Sequence, residues 1–239
     1  MSPPRTPLLR PDGYFDRRTA TVGRGLAVAV LVTLALVATV YGLGWVFAAN
    51  IDGTVTADNP SYPGDAFCDG DPPGDYTPDG CNESETVQRD IDRGIWDAIG
   101  SVAGQVVIGF PIVLLLLAGA LHGGSALANA EGGFGRSLAV AAWGLVPTVF
   151  ASLLTVAVLA FTFDSVTLSS GGSPAALLEP AMAQVREIEL VGIVAGAIAT
   201  LWGAAIWRFG LQHQRSVSGQ AATAVAGTVA LVFLLLGAT

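Results

Sequence analysis

A chain carrying five long apolar stretches with no charge in any of them has few folds open to it. Here they run Gly25–Ala49, Ala98–Leu121, Ser137–Phe163, Leu190–Trp207 and Gly219–Ala238, and none holds Asp, Glu, Lys or Arg. A helix rises about 1.5 Å per residue and the hydrocarbon core of a bilayer is about 30 Å thick, so roughly 20 residues span it. The shortest stretch has 18 residues and the longest 27. In a soluble helix polar residues return every turn; here they do not. The expected fold class is all-α: a polytopic, multi-pass bundle of five transmembrane helices.

Charge in the connections sets an orientation. All eleven basic residues are arginine. If the spans alternate, Arg5, Arg10, Arg17, Arg18, Arg24, Arg136, Arg208 and Arg215 fall on one side, and Arg89, Arg93 and Arg186 on the other. Cytoplasmic segments are enriched in Lys and Arg, which places the N-terminus inside and the C-terminus outside. The acids sort the opposite way: only Asp12, Asp16 and Glu131 share the inner side. Aromatic residues mark the boundaries as an interfacial belt would, with Trp45, Trp96, Phe161 and Phe163 outside and Tyr14, Phe15, Trp207 and Phe209 inside. The first apolar run, at 25 residues, exceeds the roughly 7–15 of a cleavable signal and reads as an uncleaved anchor. Residues 1–24 form a cytoplasmic interfacial tail in this reading. Its Arg10, Tyr14, Phe15, Arg17 and Arg18 would contact lipid or a cytoplasmic partner.

Residues 50–97 are the one sizeable stretch outside the spans. Pro and Gly are frequent there and apolar residues sparse, above all across Asn59–Gly80, so a loose loop is expected. Cys68 and Cys81, the chain's two cysteines, both fall on the outer side, where disulfides persist. Joining them would stabilise the loop by about 3 kcal/mol in the chain-entropy model. Free thiols and a metal site with Asp69, Asp71, Asp75 and Asp79 stay open as alternatives, although the spacing departs from a calcium loop. Asn82-Glu83-Ser84 is a glycosylation sequon. Farther on, Ser173-Pro174 and Pro180 have the form of helix starts, and Ala181–Trp207 reads as one continuous helix. The acid excess and the absence of lysine fit a halophilic archaeal source; a high-GC genome would also remove lysine.

The spans contain no acid, base, histidine or thiol, the groups on which proton relays and intramembrane hydrolases depend. No catalytic residue, cofactor or nucleic-acid partner is expected. Gln105 reads as a bond between helices. Gly100 and Gly104, Gly192 and Gly196 (continued by Thr200 and Ala204), and Gly219 and Gly227 (with Thr223 between them) are small residues at four-residue spacing, the pattern of close helix packing within one chain or, as the second reading, of dimerisation. His122 and His213 both lie at inner span ends, as polar caps or as a pair with Glu131 nearby. The glycine-rich Gly123–Gly135 turn lacks the Gly-Lys-Ser/Thr ending of a phosphate loop.

Three passages resemble the Yip family, five-span relatives of the Ypt/Rab-interacting membrane proteins, in an archaeal-type form. Leu9-Arg10-Pro11-Asp12-Gly13-Tyr14-Phe15 is similar to the Pro-x-x-aromatic-Phe start of prokaryotic members. Phe134 through Trp143 to Pro147 matches a polar turn leading to an aromatic residue and a proline. Trp202 through His213, followed by Ser216 to Ala222, resembles the family's turn between spans, with Gln220-Ala221 where Lys-Ala is common. The resemblance covers the tail and a membrane domain over 25–239, with 50–97 as an insertion. It implies a scaffold or adaptor in the cell membrane, not an enzyme, with a small GTPase as one possible class of partner. A small permease or transporter accessory subunit is the alternative. A polar cavity between spans would favour transport, and tight packing throughout would favour the scaffold.

Overall fold

A computed structural model describes residues 4–68, 79–168 and 174–236. In chain order its elements are α1 Pro11–Arg17, α2 Val22–Asn50, β1 Ile51–Asp58, α3 Asp65–Cys68, β2 Thr86–Asp90 and α4 Ile91–Ala126. There follow α5 Phe134–Gly144, α6 Val146–Thr162, β3 Val166–Leu168, α7 Pro174–Glu187, α8 Glu189–Gln214 and α9 Gly219–Leu236. Five helical segments are long and apolar enough to cross a membrane: α2, α4, α5 with α6, α8 and α9. The all-α bundle expected from the sequence is present, with the first, second and fourth spans one to seven residues longer at both ends than the apolar runs.

The centre of the bundle is α5. Ser137 through Ala142 are buried in unbroken succession, which requires neighbours on every side of the helix. Those neighbours are α2, α4 and α8. The third span is not continuous, because α5 yields to α6 at Leu145. Pro147 has no N–H to return to the preceding turn. The Leu145 carbonyl accepts both the Thr148 N–H, at 3.2 Å, and the Thr148 hydroxyl, at 2.6 Å.

Close helix approach falls on glycines other than those singled out above. A Cβ at Gly144 would overlap the Trp207 indole, and one at Gly203 would overlap the Gly144 carbonyl oxygen. At Gly25 it would lie 2.7 Å from Ala139, and at Gly124 2.8 Å from Val225. By contrast Gly100, Gly104, Gly196 and Gly227 have nothing within 4 Å, and Gly192 and Gly219 only ordinary contacts. Gly100, Gly104 and Gly227 are thus exposed, while Gly192 and Gly196 face α6 without closing on it. On α9 it is Ala222, Ala226 and Ala230 that turn inward. On α4 the buried line passes through Ile99, Ala103 and Leu114, leaving Gly100, Gly104 and Gln105 exposed. Lipid is as apolar as a protein core, so hydropathy does not say which small residues face protein.

The segment after α2 is more ordered than expected. β1 pairs antiparallel with β2, from Thr54 opposite Asp90 to Asp58 opposite Thr86, and parallel with β3, where Ile51 lies opposite Val166. The hairpin continues α2 and α4 beyond the bundle. Its alternating β-branched residues, Thr54-Val55-Thr56 and Thr86-Val87, carry the strand signal. Cys68 at the end of α3 is joined to Cys81, with Cα atoms 5.4 Å apart. Asn82 beside it is exposed. Asp69, Asp71, Asp75, Ser173 and Ala238, named in the readings above, lie outside the described residues.

Ala181–Trp207 is two helices rather than one. α7 starts at Pro174 and runs through Pro180, then α7 and α8 meet at Ile188. Ile188 turns inward with Val46, Ile51, Leu159 and Phe163 in a small core at this sheet end. Its N–H bonds the Val185 carbonyl, a tighter turn than the α-helical pattern, while Arg186, Glu187 and Glu189 stay outward. Trp45, Trp96 and Phe161 are exposed at this end, as an interfacial belt requires, whereas Phe163 is buried.

Candidate functional site

At the opposite end, α1 folds back onto α8 and brings the N-terminal tail, the α4–α5 turn and the α8–α9 turn together. Arg5, Arg10, Arg17, Arg18 and Arg215 belong to these segments, Arg24 and Arg136 to the first turns of α2 and α5, and Arg208 to the last two turns of α8. The tail is not an interfacial strip. Tyr14 is 5% and Phe15 1% exposed, so neither is available as a contact for lipid or a partner, contrary to expectation. Their rings meet edge to face at 5.1 Å, and Tyr14 packs against Trp143 at 5.8 Å. Two aromatic rings at the foot of α1 bury more free energy in the core than at a headgroup boundary, where each stays half wet. Trp207, also expected in the belt, is 2% exposed for the same reason.

Polar clasps fix the tail. Gln214 donates through Nε2 to the carbonyls of Phe15 at 2.7 Å and Arg18 at 3.0 Å, and its Oε1 accepts from the Ala20 N–H at 2.6 Å. Trp202 Nε1 donates to the Leu8 carbonyl at 2.7 Å. His213 Nε2 lies 2.7 Å from Asp12 Oδ1, with Asp16 Oδ1 4.0 Å from the other ring nitrogen. The Arg18 guanidinium sits over the Tyr14 ring.

The two turns are tied by Arg215, which is 1% exposed. It donates to Ser125 Oγ at 3.2 Å and to the Gly132 carbonyl, while the Glu131 N–H bonds the Arg215 carbonyl. Arg136 donates to the Gln214 carbonyl at 3.1 Å. Burial, and then the neighbouring Arg136 charge, lower the Arg215 pKa from its ordinary value. No carboxylate forms an ion pair with it among the described residues. His122 lies against Ser137 and Phe134, apart from His213, so the two histidines do not form a pair. No group of three metal-ligating side chains occurs among the described residues. Arg5, Arg10, Arg17, Arg24 and Arg136 remain exposed. The clasp of Gln214, Arg215 and Trp202 was not singled out from sequence. Its one signal is the run Gln212-His213-Gln214-Arg215, unusually polar for a span end.

A concavity lies in the other half of the bundle, nearer the sheet. It is a partly open cavity of about 530 Å³ between α2, α4, α6 and α8, with Val185 of α7 at its edge. Neither alternative posed by the sequence fits it, because the bundle is not tight throughout and the cavity is not polar.

Five apolar helices around a buried central segment, with charge held to the ends, define an α-helical multi-pass membrane protein. A family model described as the Yip1 domain matches residues 6–239, and the chain belongs to that family. No curated protein and no solved structure matches the chain.

Proposed function

We propose that this chain is a non-catalytic scaffold of the Yip type in the cell membrane, holding a protein or anionic lipid at the arginine-rich end, which faces the cytoplasm. The observation that carries the reading is the folded tail, which sets exposed Arg5, Arg10 and Arg17 on a surface clasped to the bundle. Eight arginines against three acids give that end a charge of +5. Each arginine near an anionic leaflet contributes about 1 kcal/mol, and less as salt shortens the screening length. An acidic face of a cytoplasmic protein would be drawn the same way; the family resemblance supports a small GTPase. The permease alternative is weakened by the apolar lining of the cavity.

Orientation is tested with single cysteines and a membrane-impermeant thiol reagent in intact cells. Thr56→Cys should be labelled and Ala126→Cys should not; the reverse would turn the molecule over. Function is tested with Arg10→Gln, Arg17→Gln and Arg18→Gln combined. The bundle should keep its helicity and thermal stability, because no charge from these residues enters the core. Co-purifying protein, or binding to vesicles rich in phosphatidylserine, should be lost. Unchanged recovery of both would remove the proposal.

A further inference from the structure

We propose that the cavity at the sheet end is a binding site for one hydrocarbon chain of a membrane lipid. This goes beyond the scaffold reading and does not depend on it. The cavity falls within the range of about 300–1,000 Å³ that small-molecule sites occupy. Leu36, Leu43, Val106, Val156 and Leu159 form much of its wall, and no residue lining it is charged.

The hydroxyls in the wall offer little to a polar ligand. Thr39 donates to the Ala35 carbonyl at 2.8 Å, Thr148 to Leu145 at 2.6 Å and Thr155 to Ala151 at 3.0 Å. Each threonine donor is spent on its own helix, so that Ser152 carries the one hydroxyl of the wall without a hydrogen bond among the described residues, a single polar group against a lining that is otherwise apolar. A water molecule needs two to four polar partners, and a polar solute would leave its own groups unpaired.

The void follows from small residues that do not close on a neighbour. Gly192, Gly196 and Ala199 on α8 face Ala151, Ser152 and Thr155 on α6 across the cavity. A Cβ at Gly196 would meet nothing within 4 Å, and one at Gly192 only Thr155 at 3.8 Å. At the tail end, glycines on the same helix pack hard against α5. The space is partly open rather than enclosed, so it can be reached from outside the bundle, and left unfilled it forfeits dispersion contacts along its lining. The lining residues of α2, Leu36 to Phe47, lie inside a span, where the surrounding medium is hydrocarbon. A lipid chain fits the shape of the need: long, apolar, and available at that depth.

The test uses the full chain in phosphatidylcholine vesicles containing a phosphatidylcholine with a diazirine in mid-chain. On illumination, label should concentrate on cavity-facing positions of Thr148–Leu159 and Gly192–Ala199. Gly196→Phe fills the space and should lose that label, while Ile198→Phe, on the lipid-facing side of the same helix, should keep it. Gly192→Leu is a second filling variant, and retained helicity and melting temperature check that both are folded. Uniform labelling of cavity and exposed faces, unaltered by either filling variant, would overturn the proposal. So would reaction of Ser152→Cys with a membrane-impermeant thiol reagent, which means water inside. Photo-crosslinks from a second copy at the same residues would assign the space to an oligomer contact instead.

Discussion

Gly203→Ala is expected to lower the melting temperature of the detergent-solubilised protein by about 5–10 °C, corresponding to an overpacking cost of about 2–3 kcal/mol. The added methyl would overlap the carbonyl oxygen of Gly144, and backbone cannot rotate away as a side chain can. Gly144→Ala should cost a similar amount, because its methyl would enter the Trp207 ring. That ring is 2% exposed and packed against Phe233, with its N–H directed at the Ala141 carbonyl. The two substitutions act on one contact, so the double variant should cost less than the sum. Gly100→Ala and Gly104→Ala are the controls. Both positions are exposed, with nothing within 4 Å, and an alanine there should gain up to about 1 kcal/mol of helix propensity each. Loss of stability or self-association in the controls, with Gly203→Ala neutral, would restore the Gly100–Gly104 packing face and reject the one described.

The contrast between these glycines shows where the sequence is legible. Charge-free runs name the spans because a bilayer tolerates little else, and the arginines sort by side for an equally strong physical reason. Neither rule looks sideways. Rotation of each helix about its axis is set by contacts between apolar surfaces, and lipid-facing and protein-facing residues draw on the same alphabet. Gly100-x-x-x-Gly104 and Ala222-x-x-x-Ala226 are equivalent as text, yet one faces out and the other in. Strand β1 has one local signal, the β-branched Thr54-Val55-Thr56, and the Gly, Pro and Asp around it made the segment read as a loop. Tyr14 and Phe15 carry both apolar bulk and the marks of an interfacial residue, so their burial depends on α8 offering a surface. The cavity depends on which glycines fail to find a neighbour, which no local pattern records.

Gln214 is the residue on which the arrangement of the tail end should depend most. Replacing it with leucine preserves the side-chain bulk and removes three hydrogen bonds, to the carbonyls of Phe15 and Arg18 and the N–H of Ala20. A polar group left unpaired in a buried place costs about 1–3 kcal/mol. Detaching the tail lets water satisfy all three, so detachment caps the penalty and becomes the favoured response. A loss of about 3 kcal/mol would raise the detached population roughly a hundredfold. Arg17 and Arg18 report it directly, since trypsin cleaves there only when the chain is accessible and extended. Cleavage of Gln214→Leu should be faster by about that factor wherever opening is rapid relative to proteolysis. Tryptophan emission should move to longer wavelength as Tyr14 leaves Trp143. Asp12→Asn is the comparison. It weakens the contact with His213, but Asp12 is 63% exposed, and surface pairs are worth about 0–1 kcal/mol. Its cleavage should rise by no more than about fivefold. Equal cleavage in Gln214→Leu and the parent would mean that packing of Tyr14 and Phe15, with the Trp202 and His213 contacts, holds the tail without Gln214. The same variant separates two ways the arginines could work. If partner or vesicle binding survives in Gln214→Leu but fails in the triple arginine variant, charge on a tethered tail suffices. Loss in both would mean that the clasp, by fixing where those charges stand, is part of the binding surface.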